Sequence, residues 1–341
     1  MSHITRAVLV GCGGISRTWL RSIAEMPEVE IVGLVDIAEE AAIARAQEFG
    51  LQVPTGTDLG KMLERTQPDA VFNCTIPEAH KEVTLTALAH GCHVLGEKPL
   101  ADSMENARAM IAAANEAGKI LAVIQNRRYD PRIRRLRHFL ESGAIGPLTT
   151  ANCDFYIGAH FGGFRDHMEH VLLLDMAIHT FDAARFITGA DPVSVYCHEW
   201  NPAGSWYDHD ASAVAIFEMT GGIVFTYRGS WCAEGLNTTW EGDWRLIGQK
   251  GSARWDGADL MEAEVVAKTG SFISELEKVT IPPFDAGAKV GGHAGVIREF
   301  VHCLQHGGQP ETVASDNIKS LAMVFGAIES ARLGKPVSIV P

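Results

Sequence analysis

The sequence predicts two domains of different class: an α/β domain with a parallel doubly wound sheet, then an α+β domain with a large, mostly antiparallel open sheet. The chain of 341 residues is long for a single core and sufficient for two. Up to about residue 124, short apolar runs alternate with helical patterns, which is typical of a parallel sheet with helices on both faces. Beyond it, runs with strand character follow one another through short turns, as in antiparallel sheets. We therefore expect domains at residues 1–124 and 125–341.

Glycine, proline and capping residues set the bounds of the elements in the first segment. The expected strands are Arg6–Val10, Glu30–Val35, Ala70–Cys74, His93–Gly96 and Ile120–Ile124. The expected helices are Ile15–Pro27, Ala38–Phe49, Glu78–His90 and Met104–Ala117.

The second segment contains fewer helices and more strands. We expect helices near Pro131–Leu140, Leu172–Ile187, Ala294–His306 and Asp316–Leu333. The expected strands are Thr149–Tyr156, Pro192–Glu199, Ala211–Glu218, Ile223–Ser230, Trp244–Ile247, Ser252–Trp255 and Ala263–Ala267.

Composition argues against several classes of function. The formal net charge is −13, whereas proteins that bind nucleic acids or anionic membranes need a basic surface. No apolar run approaches the ~20 residues of a membrane span. The sequence enters its first strand without a secretory signal, and its seven cysteines lack CxxC pairing. We expect a cytoplasmic protein with reduced thiols that binds neither nucleic acid nor membrane.

A glycine-rich turn, Gly11-Cys12-Gly13-Gly14-Ile15-Ser16, separates the first strand from the first helix. Gly11 permits a tight turn, and Gly13 lets the backbone approach a diphosphate, which the free N–H groups of a helix N-terminus bind. Ser16 stands where the usual pattern has glycine or alanine, and its small side chain still allows close packing of helix and strand. The pattern predicts a dinucleotide-binding Rossmann domain, with an ordinary turn as the alternative.

An acidic residue at the end of the second strand bears on the choice of dinucleotide. Asp36 follows the glycine turn by about twenty residues, where a carboxylate binds the hydroxyls of the adenosine ribose. It would repel a 2′-phosphate, and the adjacent Ile37 offers no positive charge to bind one. We therefore expect NAD rather than NADP, with Asp36 and Ile37 at the ribose.

Two further groups of residues are candidates for the chemistry. Lys98 follows the strand His93–Gly96, and ligands of open α/β sheets bind beyond the carboxyl ends of the strands. The position predicts a lysine near a bound nicotinamide, with a surface lysine as the alternative; the following Pro99 is a candidate for a cis peptide bond. Asp175 and His179, four residues apart on a strongly apolar helix, share one face. Because unpaired buried charges are costly, they form either a functional pair or a mutually satisfied pair in the core.

Motifs along nearly the whole chain resemble one family. They are Val10–Ile15, Cys74–Pro77 with His80, Gly91–Leu100 with its Glu97-Lys98-Pro99, Asn126–Pro131, and Asp175 with His179. In these motifs the chain resembles the glucose–fructose oxidoreductase, inositol dehydrogenase and rhizopine-catabolism (Gfo/Idh/MocA) family of NAD(P)-dependent dehydrogenases.

The resemblance implies an NAD-dependent dehydrogenase that oxidises a hydroxyl of a sugar, sugar acid or cyclitol. It implies that His179 is the base that takes the hydroxyl proton, and that Lys98 holds the same oxygen and stabilises its developing charge. Asp175 would orient the substrate and tune His179. Besides the glycine turn, the residues that the resemblance places along the cofactor are Thr75, Ile76, Pro77, His80, Glu97 and Lys98.

Two further regions are candidates for contact with the substrate. Six arginines lie between Arg127 and Arg137, either as a solvated or subunit-contacting face with Glu141 as a partner, or as a grip for an anionic substrate. Arg127 and the aromatic Tyr156 are candidates for contact with the substrate. The polar cluster Asp166–His170 predicts a substrate-contacting loop or a solvated helix entrance. Its spacing matches no metal motif, so no metal is expected.

The sequence leaves the substrate and some alternatives open. Inositols, hexoses, pentoses such as apiose, and sugar acids all fit. One alternative is an enzyme that retains NAD and oxidises its substrate transiently, during glycoside cleavage or epimerisation. Another is a non-catalytic sensor of NAD or sugar, which the presence of Lys98 and His179 disfavours. The broad sheet of the second domain must be covered, which predicts a homodimer or homotetramer.

Overall fold

The computed structural model describes residues 4–341, which form two compact units. The first contains the chain up to Tyr129 together with Gly287–Ile318, and the second contains Asp130–Ala286 and Lys319–Pro341. The sequence predicts two consecutive domains that meet near residue 125, whereas in the structure the chain returns to the first unit near its C-terminal end. The reason is that apolar side chains of this returning segment, among them Val296 and Phe300, are buried in the core of the first unit.

The helices and strands keep the expected order, with four additions that the sequence analysis missed. In chain order the helices are α1 (Ser16–Ala24), α2 (Glu39–Glu48), α3 (Leu59–Thr66), α4 (Pro77–Ala89), α5 (Met104–Ala117), α6 (Pro131–Glu141), α7 (Ile178–Thr188), α8 (His293–His306) and α9 (Ala314–Leu333). The strands are β1 (Thr5–Val10), β2 (Val29–Val35), β3 (Thr55–Gly56), β4 (Ala70–Asn73), β5 (His93–Gly96), β6 (Leu121–Val123), β7 (Leu148–Tyr156), β8 (Pro192–Trp200), β9 (Ser212–Met219), β10 (Val224–Ser230), β11 (Asp243–Gly248), β12 (Gly251–Trp255), β13 (Met261–Lys268), β14 (Glu275–Val279) and β15 (Val337–Ser338). Within residues 4–341, none of the helices is both long and apolar enough to cross a membrane.

The four missed elements are short or lie at an edge of a sheet. Strands β3 and β15 have two residues each, and β14 is a mostly exposed edge strand. Helix α3 did carry a signal, because Asp58 is its N-cap and accepts a hydrogen bond from the backbone N–H of Lys61.

The first unit contains a six-stranded parallel sheet in the order β3-β2-β1-β4-β5-β6. This order confirms the doubly wound α/β class, with the switch in strand order beside β1. In such sheets, ligands bind beyond the carboxyl ends of the strands at that switch. Gly11, Asp36, Cys74 and Glu97 directly follow β1, β2, β4 and β5, so they lie at this edge of the sheet.

The second unit contains a nine-stranded sheet in the order β14-β13-β12-β11-β7-β10-β9-β8-β15. Neighbouring strands are antiparallel except β7 and β10, so the expected mostly antiparallel sheet is confirmed. Side chains alternate along the central strands between a buried face, which packs on α7 through rings such as Phe181 and Phe217, and a more exposed face. The alternation is the pattern of a sheet with one covered face.

The helix that carries Asp175 and His179 is not a single α-helix as expected. Leu172–Ala177 forms a π-helical segment, and only from Ile178 does the chain continue as α7. The preceding His170 has a positive φ of 52°. π-helical segments are rare and occur frequently at functional sites.

Candidate cofactor and active site

Gly11 and the chain after β4 approach so closely that only glycine fits. Gly11 has a φ of +88°, and a Cβ there would lie 2.7 Å from backbone atoms of Cys74 and Thr75. By contrast, a Cβ on Gly13 or Gly14 would meet no atom within 4 Å. The glycine turn is therefore packed on one side and open on the other, which is the shape that a diphosphate needs.

The residues that flank the glycine turn hold it in place. Ser16 is fully buried and its hydroxyl donates to the carbonyl of Gly13 at 2.6 Å, which agrees with the expected close packing of a small side chain. The carboxylate of Asp36 accepts from the backbone N–H groups of Cys12 at 2.7 Å and Ala38 at 2.9 Å. Ile37 beside it is 98% exposed. The Asp36 carboxylate is thus held against the turn, at the position expected for the adenosine ribose.

Cys12, within the turn, is a buried thiol. Burial, with a smaller contribution from the Asp36 carboxylate, raises the pKa of Cys12 to about 12. The thiol is therefore protonated at neutral pH, and it lacks the thiolate that reactive cysteines need.

His80 connects the loops that follow β4 and β5. Its side chain is buried, with Nδ1 2.9 Å from the carbonyl oxygen of Pro99 and Nε2 3.1 Å from that of Thr75. Burial lowers the pKa of His80, and a neutral ring donates to one of the two carbonyls at a time. The imidazole therefore links these two loops. By resemblance, the loop at Thr75 lines the cofactor and the loop at Pro99 carries the catalytic lysine.

Glu97 is likewise buried and anchors the start of the lysine loop. Its carboxylate accepts from the indole N–H of Trp19 at 2.7 Å and from the backbone N–H of Lys98 at 3.1 Å. Burial tends to raise the pKa of Glu97, but hydrogen bonds from His293 and Trp19 outweigh it and lower the pKa. Glu97 is thus an ionised group that fixes the backbone before Lys98, and the peptide bond between Lys98 and Pro99 is cis, as anticipated.

In the second unit, Asp175 and His179 lie on the accessible side of an otherwise buried helix. Of residues 171–187, only Leu174, Asp175 and His179 are not buried. The two ionisable groups therefore share one side, as the four-residue spacing predicts, although the intervening turn is π-helical.

Asp175 has a partner that the sequence pattern does not predict. The guanidinium of Arg165 donates to its carboxylate through Nε at 2.8 Å and Nη2 at 3.3 Å. The guanidinium carbon also lies 5.0 Å from the ring centre of Phe161 and 4.8 Å from that of Phe164, within the range of cation–π contacts. The sequence does distinguish Arg165, because it is the only lysine or arginine between Arg137 and Arg185.

The polar cluster Asp166–His170 forms ion pairs with neighbouring elements of the second unit. His170 Nδ1 lies 2.6 Å from the carboxylate of Glu199 on β8, and His167 Nδ1 lies 2.5 Å from that of Asp208. The Glu199 carboxylate raises the pKa of His170, while burial raises the pKa of Glu199 itself. Across residues 4–341, no group of three or more histidine, cysteine or acidic side chains is arranged to hold a metal.

The arginines between Arg127 and Arg137, and Tyr156, differ in their surroundings. The arginines do not form a uniformly solvated face, because Arg128 and Arg134 are buried, and Arg128 bonds the carbonyl of Glu311 at 3.0 Å. The expected pair of Arg137 with Glu141 is present at 2.7 Å. Arg127 and Tyr156 are partly buried and remain predictions as substrate contacts.

Comparison with known proteins identifies two regions of similarity. Residues 5–125 match a family described as an oxidoreductase family with an NAD-binding Rossmann fold, GFO_IDH_MocA, and residues 133–254 match the GFO/IDH/MocA C-terminal domain. An uncharacterized protein of Sinorhizobium fredii, y4oX, is 30% identical over 97% of this chain and 94% of its own length. D-apiose dehydrogenase of Paraburkholderia graminis is 29% identical over 98% of this chain and 89% of its own. An oxidoreductase from Agrobacterium radiobacter, crystallised with NAD+, L-tartaric acid and magnesium, has the same fold, with a TM-score of 0.86 at 22% identity over 98% of both chains.

Proposed function

Since the chain belongs to the Gfo/Idh/MocA family of oxidoreductases, whose N-terminal domain binds NAD, we propose that it oxidises one hydroxyl of a sugar, sugar acid or cyclitol, with Lys98, Asp175 and His179 at the reacting hydroxyl. The open side of the glycine turn and the placement of Asp36 fit the diphosphate and ribose of NAD. When bound, the nicotinamide accepts the hydride that leaves the carbinol carbon. The observation that carries the proposal is that Asp175 and His179 are the two ionisable side chains on the accessible side of an otherwise buried helix.

Each of the three residues has a distinct task in this proposal. A carbinol releases hydride readily only as its hydroxyl loses a proton, so His179 is assigned as the base that takes it. The ammonium of Lys98 stabilises the negative charge that develops on the same oxygen. The fixed backbone at Glu97 and the bridge through His80 support this role, because a positioned donor needs no reorganisation during the reaction.

Asp175 is assigned to the hydroxyl next to the reacting one. Its ion pair with Arg165 presents an acceptor beside a donor, and two adjacent hydroxyls match such a pair because each can accept and donate. The charge of Arg165 is balanced by Asp175, and the ammonium of Lys98 is assigned to the reacting oxygen, so no further cation is assigned to a substrate carboxylate. This favours neutral polyols over sugar acids. The similarity to D-apiose dehydrogenase supports a substrate of this kind.

A substrate panel tests the proposed function. Purified protein is mixed with NAD and, one at a time, inositols, hexoses, apiose and aldonic acids, while the absorbance of NADH is followed. We expect turnover with at least one neutral polyol, and a preference for NAD over NADP because Asp36 repels a 2′-phosphate. Absence of NADH with every compound, although NAD binds, would contradict the proposal. Conversion of a glycoside without net NADH would instead indicate transient oxidation.

We also propose that the exposed face of the nine-stranded sheet binds a second copy of this chain. Tyr196, Ile216, Val224 and Ile247 on β8 to β11 are 36–44% exposed. Two arginines of this face are paired within it, Arg228 with Asp154 and Arg254 with Asp243, so covering the face would not leave these charges unpaired. The free thiols of all seven cysteines fit a reducing cytoplasm.

Ile216→Lys is expected to break this association. A lysine at this position, between Tyr196 and Thr226 on the neighbouring strands, would place an unpaired charge in the interface. Light scattering after gel filtration should give at least twice 36.9 kDa for the wild type and a mass near 36.9 kDa for the variant. Ile43→Lys on α2, 40% exposed in the other unit, is the matched control and should leave the mass unchanged. A wild-type monomer, or a variant that stays oligomeric, would argue against this interface.

A further inference from the structure

A buried arginine outside the glycine turn holds the turn from its packed side. Arg45 lies in the last turn of α2 and is 5% exposed. Its Nη2 donates to the carbonyl oxygen of Cys12 at 2.9 Å and to that of Gly13 at 3.0 Å. One guanidinium nitrogen therefore bonds two successive carbonyls of the turn, and the Gly13 carbonyl also accepts from the Ser16 hydroxyl.

Fixing these carbonyls also fixes the amides that follow them. In a trans peptide the C=O and the next N–H point in opposite directions, and the peptides of this turn are trans. The carbonyls of Cys12 and Gly13 point at Arg45, so the N–H groups of Gly13 and Gly14 point away from it. These are the two positions where an added Cβ meets nothing within 4 Å. Arg45 thus directs two N–H donors away from itself, at the two positions of the turn where an added Cβ finds open space.

Arg45 shares its acidic partner with a second arginine. Arg45 forms an ion pair with Glu48, and the same carboxylate accepts from Arg17 Nε at 2.8 Å. The hydrogen bond from Arg17 lowers the pKa of Glu48, which keeps the carboxylate ionised. Arg17 and Arg45 thus share the carboxylate of Glu48. Arg45 is the buried one of the two arginines, and solvent and salt screen the interactions of a buried charge least.

We propose that Arg45 is a positioning residue for cofactor binding: it orients the amides of Gly13 and Gly14 toward the diphosphate and adds a favourable charge behind them. Arg45 is not part of the sequence pattern of the glycine turn. The turn leads into α1, whereas Arg45 lies on α2. The proposal rests on NAD binding by the first unit, and it is independent of which substrate the enzyme oxidises.

The test compares ligands with and without a diphosphate. Dissociation constants of NAD, ADP-ribose and adenosine are measured by calorimetry, or by NMR titration for the weakest, with wild-type protein and Arg45→Met. We expect the constants of NAD and ADP-ribose to rise about tenfold or more, equivalent to about 1.4 kcal/mol, and that of adenosine to stay within about twofold. Arg17→Met is the matched control, because it removes an exposed guanidinium from the same carboxylate and leaves the carbonyl contacts; its NAD constant should change by less than about threefold.

Two outcomes would overturn the proposal. One is unchanged binding of ADP-ribose by folded Arg45→Met. The other is an equal loss of affinity for adenosine and ADP-ribose, which would mean that Arg45 only stabilises the fold. Should Arg45→Met fail to fold, Arg45→Gln serves instead, because glutamine keeps a polar end but carries no charge and is shorter than arginine. In that variant ADP-ribose must bind several-fold more weakly relative to adenosine, and an unchanged ratio would reject the proposal. None of these measurements needs a substrate, so failure of the dehydrogenase assignment would be recognised separately.

Discussion

Lys98→Met is expected to lower kcat by about 10²- to 10³-fold, the range for removal of one donor that stabilises a developing oxyanion. Methionine retains most of the aliphatic stem but removes the ammonium that is proposed to stabilise the developing alkoxide. The dissociation constant of NAD without substrate should stay within about threefold of the wild-type value, equivalent to about 0.7 kcal/mol. Steady-state rates of NADH formation with the best compound of the panel, together with calorimetric titration of NAD, measure the two quantities.

A second lysine serves as the control for this substitution. Lys61 lies on α3, is exposed and pairs with Asp58 at 3.0 Å, so Lys61→Met removes an ammonium of the same unit without touching the site. Its kcat should equal that of the wild type. Full activity of Lys98→Met would remove this lysine from the mechanism, and a parallel loss of NAD affinity would assign it to cofactor binding instead.

The sequence predicted the first sheet well because its signals are local. Strands β1, β2 and β5 are mostly apolar runs that are followed directly by Gly11, Asp36 and Glu97, and these residues mark the carboxyl ends of their strands. The return of α8 to this unit was not predictable in the same way. Its apolar face fits either core, and only the packing of Val296 and Phe300 in the first core decides between them.

The side chains that hold the candidate site together were harder to predict than the motifs. Arg165 lies ten residues before Asp175 in a short 3₁₀ helix, and Arg45 lies 32 residues after Gly13, so no periodicity links either arginine to its partner. The π-helical turn before α7 was not predicted either. A pattern of apolar residues identifies a buried helix, but it does not show how many residues each of its turns contains. Motifs identify groups that face a ligand, whereas groups that orient them depend on tertiary contacts.

Two glycines of the same turn should respond in opposite ways to alanine. Gly11→Ala places a methyl group 2.7 Å from the backbone of Cys74 and Thr75, at a φ of +88° that alanine rarely adopts. Because backbone atoms on both sides must move, we expect a loss of about 2 to 5 kcal/mol in the free energy of unfolding of the first unit. Differential scanning calorimetry should show a clear decrease in Tm for this variant, and NAD should restore only part of it.

Gly13→Ala, by contrast, should fold normally and fail to bind the cofactor. Its added methyl group meets no protein atom within 4 Å, and the backbone there is outside the left-handed region, so Tm should stay close to the wild-type value. The same methyl would occupy the space in which the proposed diphosphate approaches the backbone, so the dissociation constant of NAD should rise at least about tenfold. The two variants differ by the position of one methyl group, and each controls for the other. Normal NAD affinity in Gly13→Ala would show that the open side of the turn is not where the diphosphate binds. A stable Gly11→Ala would show that the approach of β1 and the β4 loop is less tight than the structure indicates.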